Sequence, residues 1–80
     1  MPKVLLMEFD REQRRFQALK DVELSSVPTT GDKIAINIDD IGYIFKVYDV
    51  HYGDNNMTDV NVVRLSTVTE YYSSHYPDIG

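Results

Sequence analysis

The stretch VPTTGDKIAINI, residues 27–38, constrains this chain more than any other. Ile34, Ile36 and Ile38 alternate with Lys33, Ala35 and Asn37. Side chains of a strand point to opposite faces in turn, so this run presents one apolar and one polar face, whereas a helix would scatter the isoleucines around its axis. Pro28 locks its own φ and biases Val27 towards an extended backbone. Thr29, Thr30, Gly31 and Asp32 then supply a tight turn, with Gly31 free to take φ > 0. DDIG, residues 39–42, supplies the next turn. The loop therefore reads as a corner that feeds a half-buried strand, not as a binding site.

The rest of the chain is organised in the same way. In residues 3–9, Leu5, Met7 and Phe9 alternate with Leu6 and Glu8, giving a first strand with one buried face. The segment DREQRRFQALKDVEL carries two patterns. Strong helix formers and an Asp10/Gln13 capping box favour a short helix over residues 10–21. Phe16, Ala18, Val22 and Leu24 share one parity, which favours a strand over residues 15–24 although Lys20 breaks the pattern. A short hairpin closure costs little entropy, and the neighbouring segments are strands. The strand is preferred, with a turn at residues 10–14. YIFKVYDVHY is dense in aromatic and β-branched residues, but its phase changes: Phe45 and Val47 share one parity, Val50 and Tyr52 the other. A β-bulge near Tyr48 and Asp49 brings both pairs inward. GDNN, residues 53–56, marks a turn. In TDVNVVRLSTV, Val60 and Val62 lie on one face and Val63 and Leu65 on the other, as a central or covered strand requires.

Five short strands separated by turns specify an all-β fold, a small five-stranded antiparallel barrel over residues 1–68, followed by a tyrosine-rich tail over residues 69–80 that adds a short strand or a helical turn. Eighty residues hold one core, and a domain of this size buries only roughly 60% of its unfolded surface. Closing the sheet protects its edges.

Val27-Pro28, Gly31-Asp32, Ile34, Ile36, Phe45, Val47, Val50 and His51 together resemble the pattern of small SH3-like β-barrel proteins of bacteria and phages. The resemblance covers a third to a half of the chain, mostly through core and turn positions. It implies an SH3-like barrel and no particular activity. The charged residues 10–15 are longer than a tight hairpin turn requires, which puts the first hairpin at odds with the pattern.

Thirteen acidic residues against eight basic ones give a net charge of −5. This balance argues against non-specific duplex binding, and Asp10, Glu12 and Asp21 interrupt the cluster Arg11, Arg14, Arg15, Lys20. No run reaches the roughly 20 apolar residues of a membrane span. MPKVLLMEFD is charged too soon for a signal peptide, and cysteine is absent, so a cytoplasmic setting is expected. The NMT sequon at Asn56 is read as chance. The G-x-S-x-G nucleophile motif, a phosphate-cradling glycine-rich loop and a paired Ser/His/Asp pattern are missing, so neither an enzyme nor a cofactor is expected. His51 with Asp49 and Asp54 lacks metal-ligand spacing, so no metal is expected.

The expected function is a non-catalytic protein-binding or accessory module. Tyr71, Tyr72 and Tyr76 lead the candidate contact residues, because tyrosine is enriched at interface hot spots; Tyr48, Asp39 and Asp40 follow. If Tyr71 and Tyr76 instead fold back, they plug one end of the barrel. A homo-oligomer would relieve a thin core. Two alternatives stand beside this reading. The acidic residues suit a phage- or mobile-element-encoded inhibitor of a host defence or nucleic-acid enzyme. Tyr43, Lys46, Tyr48 and Tyr52 suit a stacking platform for single-stranded nucleic acid.

Overall fold

The computed structural model describes residues 2–54 and 57–76. It contains β1 (Lys3–Asp10), β2 (Arg15–Glu23), β3 (Lys33–Ile38), β4 (Ile41–Tyr52), β5 (Thr58–Thr67) and α1 (Val68–His75). The strands form one sheet in the order β2-β1-β5-β4-β3. The all-β expectation holds, but the purely antiparallel, closed barrel does not. β1 and β5 run parallel, Leu5–Glu8 lying beside Asp59–Val62. The sheet is open between its edge strands β2 and β3. The reason lies in residues 24–32. They carry the chain from β2 to the far edge, so β5, and not β3, comes to rest against the first hairpin. A strand's period does not reveal which neighbour it will take.

Residues 15–23 are strand, so the helical alternative for residues 10–21 is overturned. The Asp10 carboxylate does accept the Glu12 and Gln13 N–H groups at 2.9 and 3.2 Å, as a helix cap would. The incipient turn then stops, because Arg14 adopts φ 56° while its N–H bonds Asp10 O at 2.7 Å. From there the chain returns along β1, and Phe16 meets Phe9 edge to face at 5.2 Å. Leu19 is bulged out of register with β1, which flips the parity of the rest of β2. Lys20 pairs with Leu6 and so takes the concave side with Val22, as the exposed charged member of that face. Leu19, Val22 and Leu24 all reach the core, while Phe16 and Ala18 share the other face with Phe9 and Met7.

The core lies on the concave face: Val4, Leu6, Phe45, Val47, Val60 and Val62 are fully buried, joined by Ile36. In β1 the buried parity is thus Val4 and Leu6, and the expected face of Leu5, Met7 and Phe9 is only half-buried on the convex side. β5 is central and apolar on both faces, with Val63 and the neighbouring Ile44 of β4 buried on the convex side. The bulge expected in β4 is present at Tyr48: Val47 pairs with Val62 and Asp49 with Asn61, so Tyr48 has no partner and Val47 and Val50 both reach the core.

The corners behave as their chemistry requires. Gly31 has φ 96°, and its N–H bonds Val47 O at 2.8 Å, while Asp32 O accepts the Val47 N–H at 2.8 Å. Asp32 also holds Thr29, accepting from its N–H at 2.9 Å. The loop is therefore stitched to β4 next to its bulge, and Pro28 is buried. Asp39 and Asp40 join β3 to β4 with φ 51° and 67°, the two left-handed residues of a type I′ turn. The Gly53 N–H bonds Met57 O at 2.7 Å at the start of the next turn, whose Asn55 and Asn56 lie outside the described residues. No helix among the described residues is long and apolar enough to cross a membrane.

Two stability predictions follow from the corners. Replacing Asp39 with Asn and Asp40 with Gly should raise stability by about 1 kcal/mol, because both residues occupy left-handed backbone; an unchanged or lower urea midpoint would contradict the turn assignment. A Cβ at Gly31 would meet no atom within 4 Å. Gly31→Ala should therefore cost about 1–2 kcal/mol from backbone strain alone, and Gly31→Val more, because β-branching worsens the strain.

Candidate functional site

Two groupings of chemically distinctive side chains sit at the end of the sheet where β1 and β5 finish. The parallel pairing creates this neighbourhood, since it brings the C-terminal ends of both strands to one end of the molecule.

The first is built around Arg64. Its β5 position shares the concave face with Val60 and Val62, as Glu8 shares that face with Val4 and Leu6 on β1. Arg64 Nη2 donates to Glu8 Oε1 at 3.0 Å. Arg64 Nε lies 2.9 Å from Oε2 with its N–H out of line, so this second contact is an ion pair without a hydrogen bond. The guanidinium carbon rests 4.4 Å from the Tyr43 ring centre and 5.4 Å from that of Phe45. Arg64 thus covers the open end of the core, with an aromatic surface beneath it and a carboxylate beside it. A cleft of about 520 Å³ opens against this pair, lined also by Asp10, Arg11, Glu12 and Gln17. Gln17 bridges Asp10 and Gln13 at 3.2 and 2.9 Å, tying the hairpin turn to the cleft wall. Sequence reasoning missed the Arg64–Glu8 pair. The signal is present in Val4-Leu6-Glu8 and Val60-Val62-Arg64, each a charged residue continuing an apolar face, but in β1 Leu5, Met7 and Phe9 offer an equally apolar opposite face.

The second grouping is α1. Thr67 caps it, accepting from the Glu70 N–H at 3.1 Å, and the Glu70 carboxylate accepts from the Thr67 N–H at 3.3 Å. This reciprocal box is written in the sequence as Thr67-Val68-Thr69-Glu70. The helix starts over β4: a Cβ on Gly42 would lie 3.1 Å from Val68 Cγ2. The helix buries no residue. Tyr71 is half-buried and stacks on His75 at 4.0 Å. His75 Nδ1 lies 3.0 Å from Tyr71 O. Tyr72 and Tyr76 are 53% and 44% exposed, with their rings 5.6 Å apart. The aromatic side chains therefore contact one another, and Tyr76 does not fold back as a plug. Exposed Ile41 and Leu65 occupy the same end, as does the Asp39–Asp40 turn two residues before Gly42.

Of the residues expected to act in protein binding, the structure gathers Tyr71, Tyr72, Tyr76, Asp39 and Asp40 at one end. Tyr48 stands apart at the β4 bulge, next to Lys46, whose Nζ is 5.8 Å from its ring centre. The residues of the nucleic-acid alternative are not brought onto one face. Tyr43 is half-buried on the concave side beneath Arg64, Lys46 pairs with Val63 on the convex side, and Tyr52 lies at the far end of β4, where it lines a separate cleft with Pro2, Lys3 and Met57. Asp49 and His51 are exposed on the convex face, with His51 opposite Asp59. Among the described residues no three His, Cys, Asp or Glu side chains gather as metal ligands would.

The Arg64 arrangement predicts a measurable coupling. Arg64→Met and Glu8→Gln, singly and together, should show an interaction of about 1 kcal/mol in urea denaturation, because both side chains remain partly exposed. A coupling near zero would reduce Arg64 to a packing element over Tyr43.

Comparison of the chain with protein-family models, with curated proteins and with solved structures finds no match.

Proposed function

We propose that this chain is a non-catalytic protein-binding module whose contact surface is centred on α1. One observation carries the reading: Tyr72 and the C-cap Tyr76 stand side by side and exposed on a helix none of whose residues is fully buried. A helix of this length is marginal without packing. Here it is held by a capping box, by its start against Gly42 and by stacking among its own rings, and its aromatic surface is left to solvent. Tyrosine contributes large, rigid contact area with few torsions to immobilise, which makes such a pair suited to anchoring a partner. Exposed Leu65 lies at the same end, and the Asp39–Asp40 turn, just before the Gly42 over which α1 starts, sets an acidic rim there. The partner face that complements this surface is apolar at its centre and basic at its edge.

The test is capture of partners from a lysate of the source organism by the tagged chain, compared with Tyr72→Ala/Tyr76→Ala. Each ring is expected to contribute about 2 kcal/mol, so the double variant should lose captured partners by well over tenfold. Its melting temperature should change little, since neither ring is in the core and the capping box and the Tyr71–His75 stack remain. An identical captured set from both proteins would overturn the reading, as would a turnover that survives the substitutions.

A further inference from the structure

The edge strands β2 and β3 face each other across a seam that no backbone ladder closes. On the β3 side, Ile38 pairs with Ile41 across a two-residue turn, so Ile34, Ile36 and Ile38 direct their N–H and C=O groups to β4. Those of Lys33, Ala35 and Asn37 point into the seam. One side-chain bond crosses it: Lys20 Nζ donates to Asn37 O at 3.2 Å. A lysine side chain of ordinary bond lengths, plus that contact, allows the two strands to stand up to roughly 10 Å apart, about twice the ~4.8 Å between paired strands. The sides of the seam are apolar. Leu19, Val22 and Leu24 on one side and Ile34 and Ile38 on the other are half-buried against the core. Lys20 itself is exposed, and the one ion pair among the described residues is that of Arg64 with Glu8.

We propose that this seam is a strand-addition site that takes one extended peptide segment of a protein partner, apolar at alternate positions and carrying a carboxylate near its centre. The peptide backbone bonds the free groups of Lys33, Ala35 and Asn37. Lys20 releases Asn37 O and turns to the carboxylate, exchanging a bond to a neutral acceptor for a charge-assisted one. The peptide's inward side chains cover Val22, Ile34 and Ile38, and the open sheet becomes a closed one of six strands. A second copy of the chain does not suit the seam, because its β3 would bring β4 behind it and a gap bounded at roughly 10 Å by the reach of Lys20 admits no more than one strand. This surface adjoins the start of α1 at Asn37 but uses neither Tyr72 nor Tyr76, and it goes beyond the reading given above.

The probe is an eight-residue peptide of alternating valine and threonine with one central glutamate, titrated into the isotope-labelled chain. Binding should appear below about 1 mM. It should protect the Ala35 and Asn37 amides from exchange and should be abolished when alternate peptide nitrogens are methylated. Lys20→Glu should weaken binding more than tenfold, and a lysine in place of the peptide's glutamate should restore it. Tyr72→Ala/Tyr76→Ala should bind the peptide unchanged, so that the two surfaces fail or succeed independently. Three results would each overturn the proposal: no binding at about 1 mM, equal binding of the methylated peptide, or protection elsewhere with the Ala35 and Asn37 amides unaffected.

Discussion

The rest of the structure depends on the parallel ladder between β1 and β5. The molecule is otherwise two antiparallel pieces, the β1–β2 hairpin and the β3–β4–β5 meander. Only Leu5–Glu8 against Asp59–Val62 joins their backbones in the sheet. That ladder sets Leu6 beside Val60, both fully buried, so the hydrogen-bonded joint and the centre of the core coincide. Parallel pairing needs a long connection between the strands it joins. Here the connection is β2, residues 24–32, β3 and β4, so β5 closes back on β1 only after every other strand is made. The fold's central contact is therefore also among its most distant in sequence, a feature that slows folding.

Three consequences of this joint shape the surface. The ladder brings the ends of β1 and β5 together, which lets Glu8 meet Arg64 and places the charged hairpin turn and the tyrosine helix at one end. It leaves β2 and β3 as edges, because the strands flanking the joint already have both neighbours. It also curls the sheet until Lys20 reaches Asn37 O, so the two edges lie opposite each other. A lysine near an edge is a common guard against unwanted pairing. In this seam the guard is held by one bond to a carbonyl. The aromatic helix and the seam are thus two products of a single topological choice, at different places on the same sheet.

Much of the local structure was legible. The alternation of Ile34, Ile36 and Ile38, the left-handed Gly31, the turn at Asp39 and the bulge at Tyr48 all follow from period, steric freedom and the change of phase between Val47 and Val50. The second strand was legible only as a contest. Asp10 and Gln13 make the local bonds of a helix start, yet Phe16 against Phe9 and Leu19 against the core decide for a strand. Tertiary contact overrides a propensity worth tenths of a kcal/mol per residue. The Leu19 bulge puts Phe16 and Ala18 on the opposite face from Val22, so the single parity that Lys20 interrupts in the sequence is not one face of the strand. The face of β1 was misread because Leu5, Met7 and Phe9 are as apolar as Val4 and Leu6, and in a strand apolar on both sides alternation carries no sign.

The tyrosines of the last segment were visible as composition, but their exposure was not. It depends on where α1 starts relative to β4 and on rings that stack on one another in place of the core. By itself the sequence determined the strands, the corners and their backbone demands, because each is settled by residues within a few positions of one another. Only the tertiary structure decided the parallel joint, the open seam, the pairing of Arg64 with Glu8 and the outward face of α1. Those depend on which strand lies beside which, and that choice is made by burial of the whole core rather than by any local pattern.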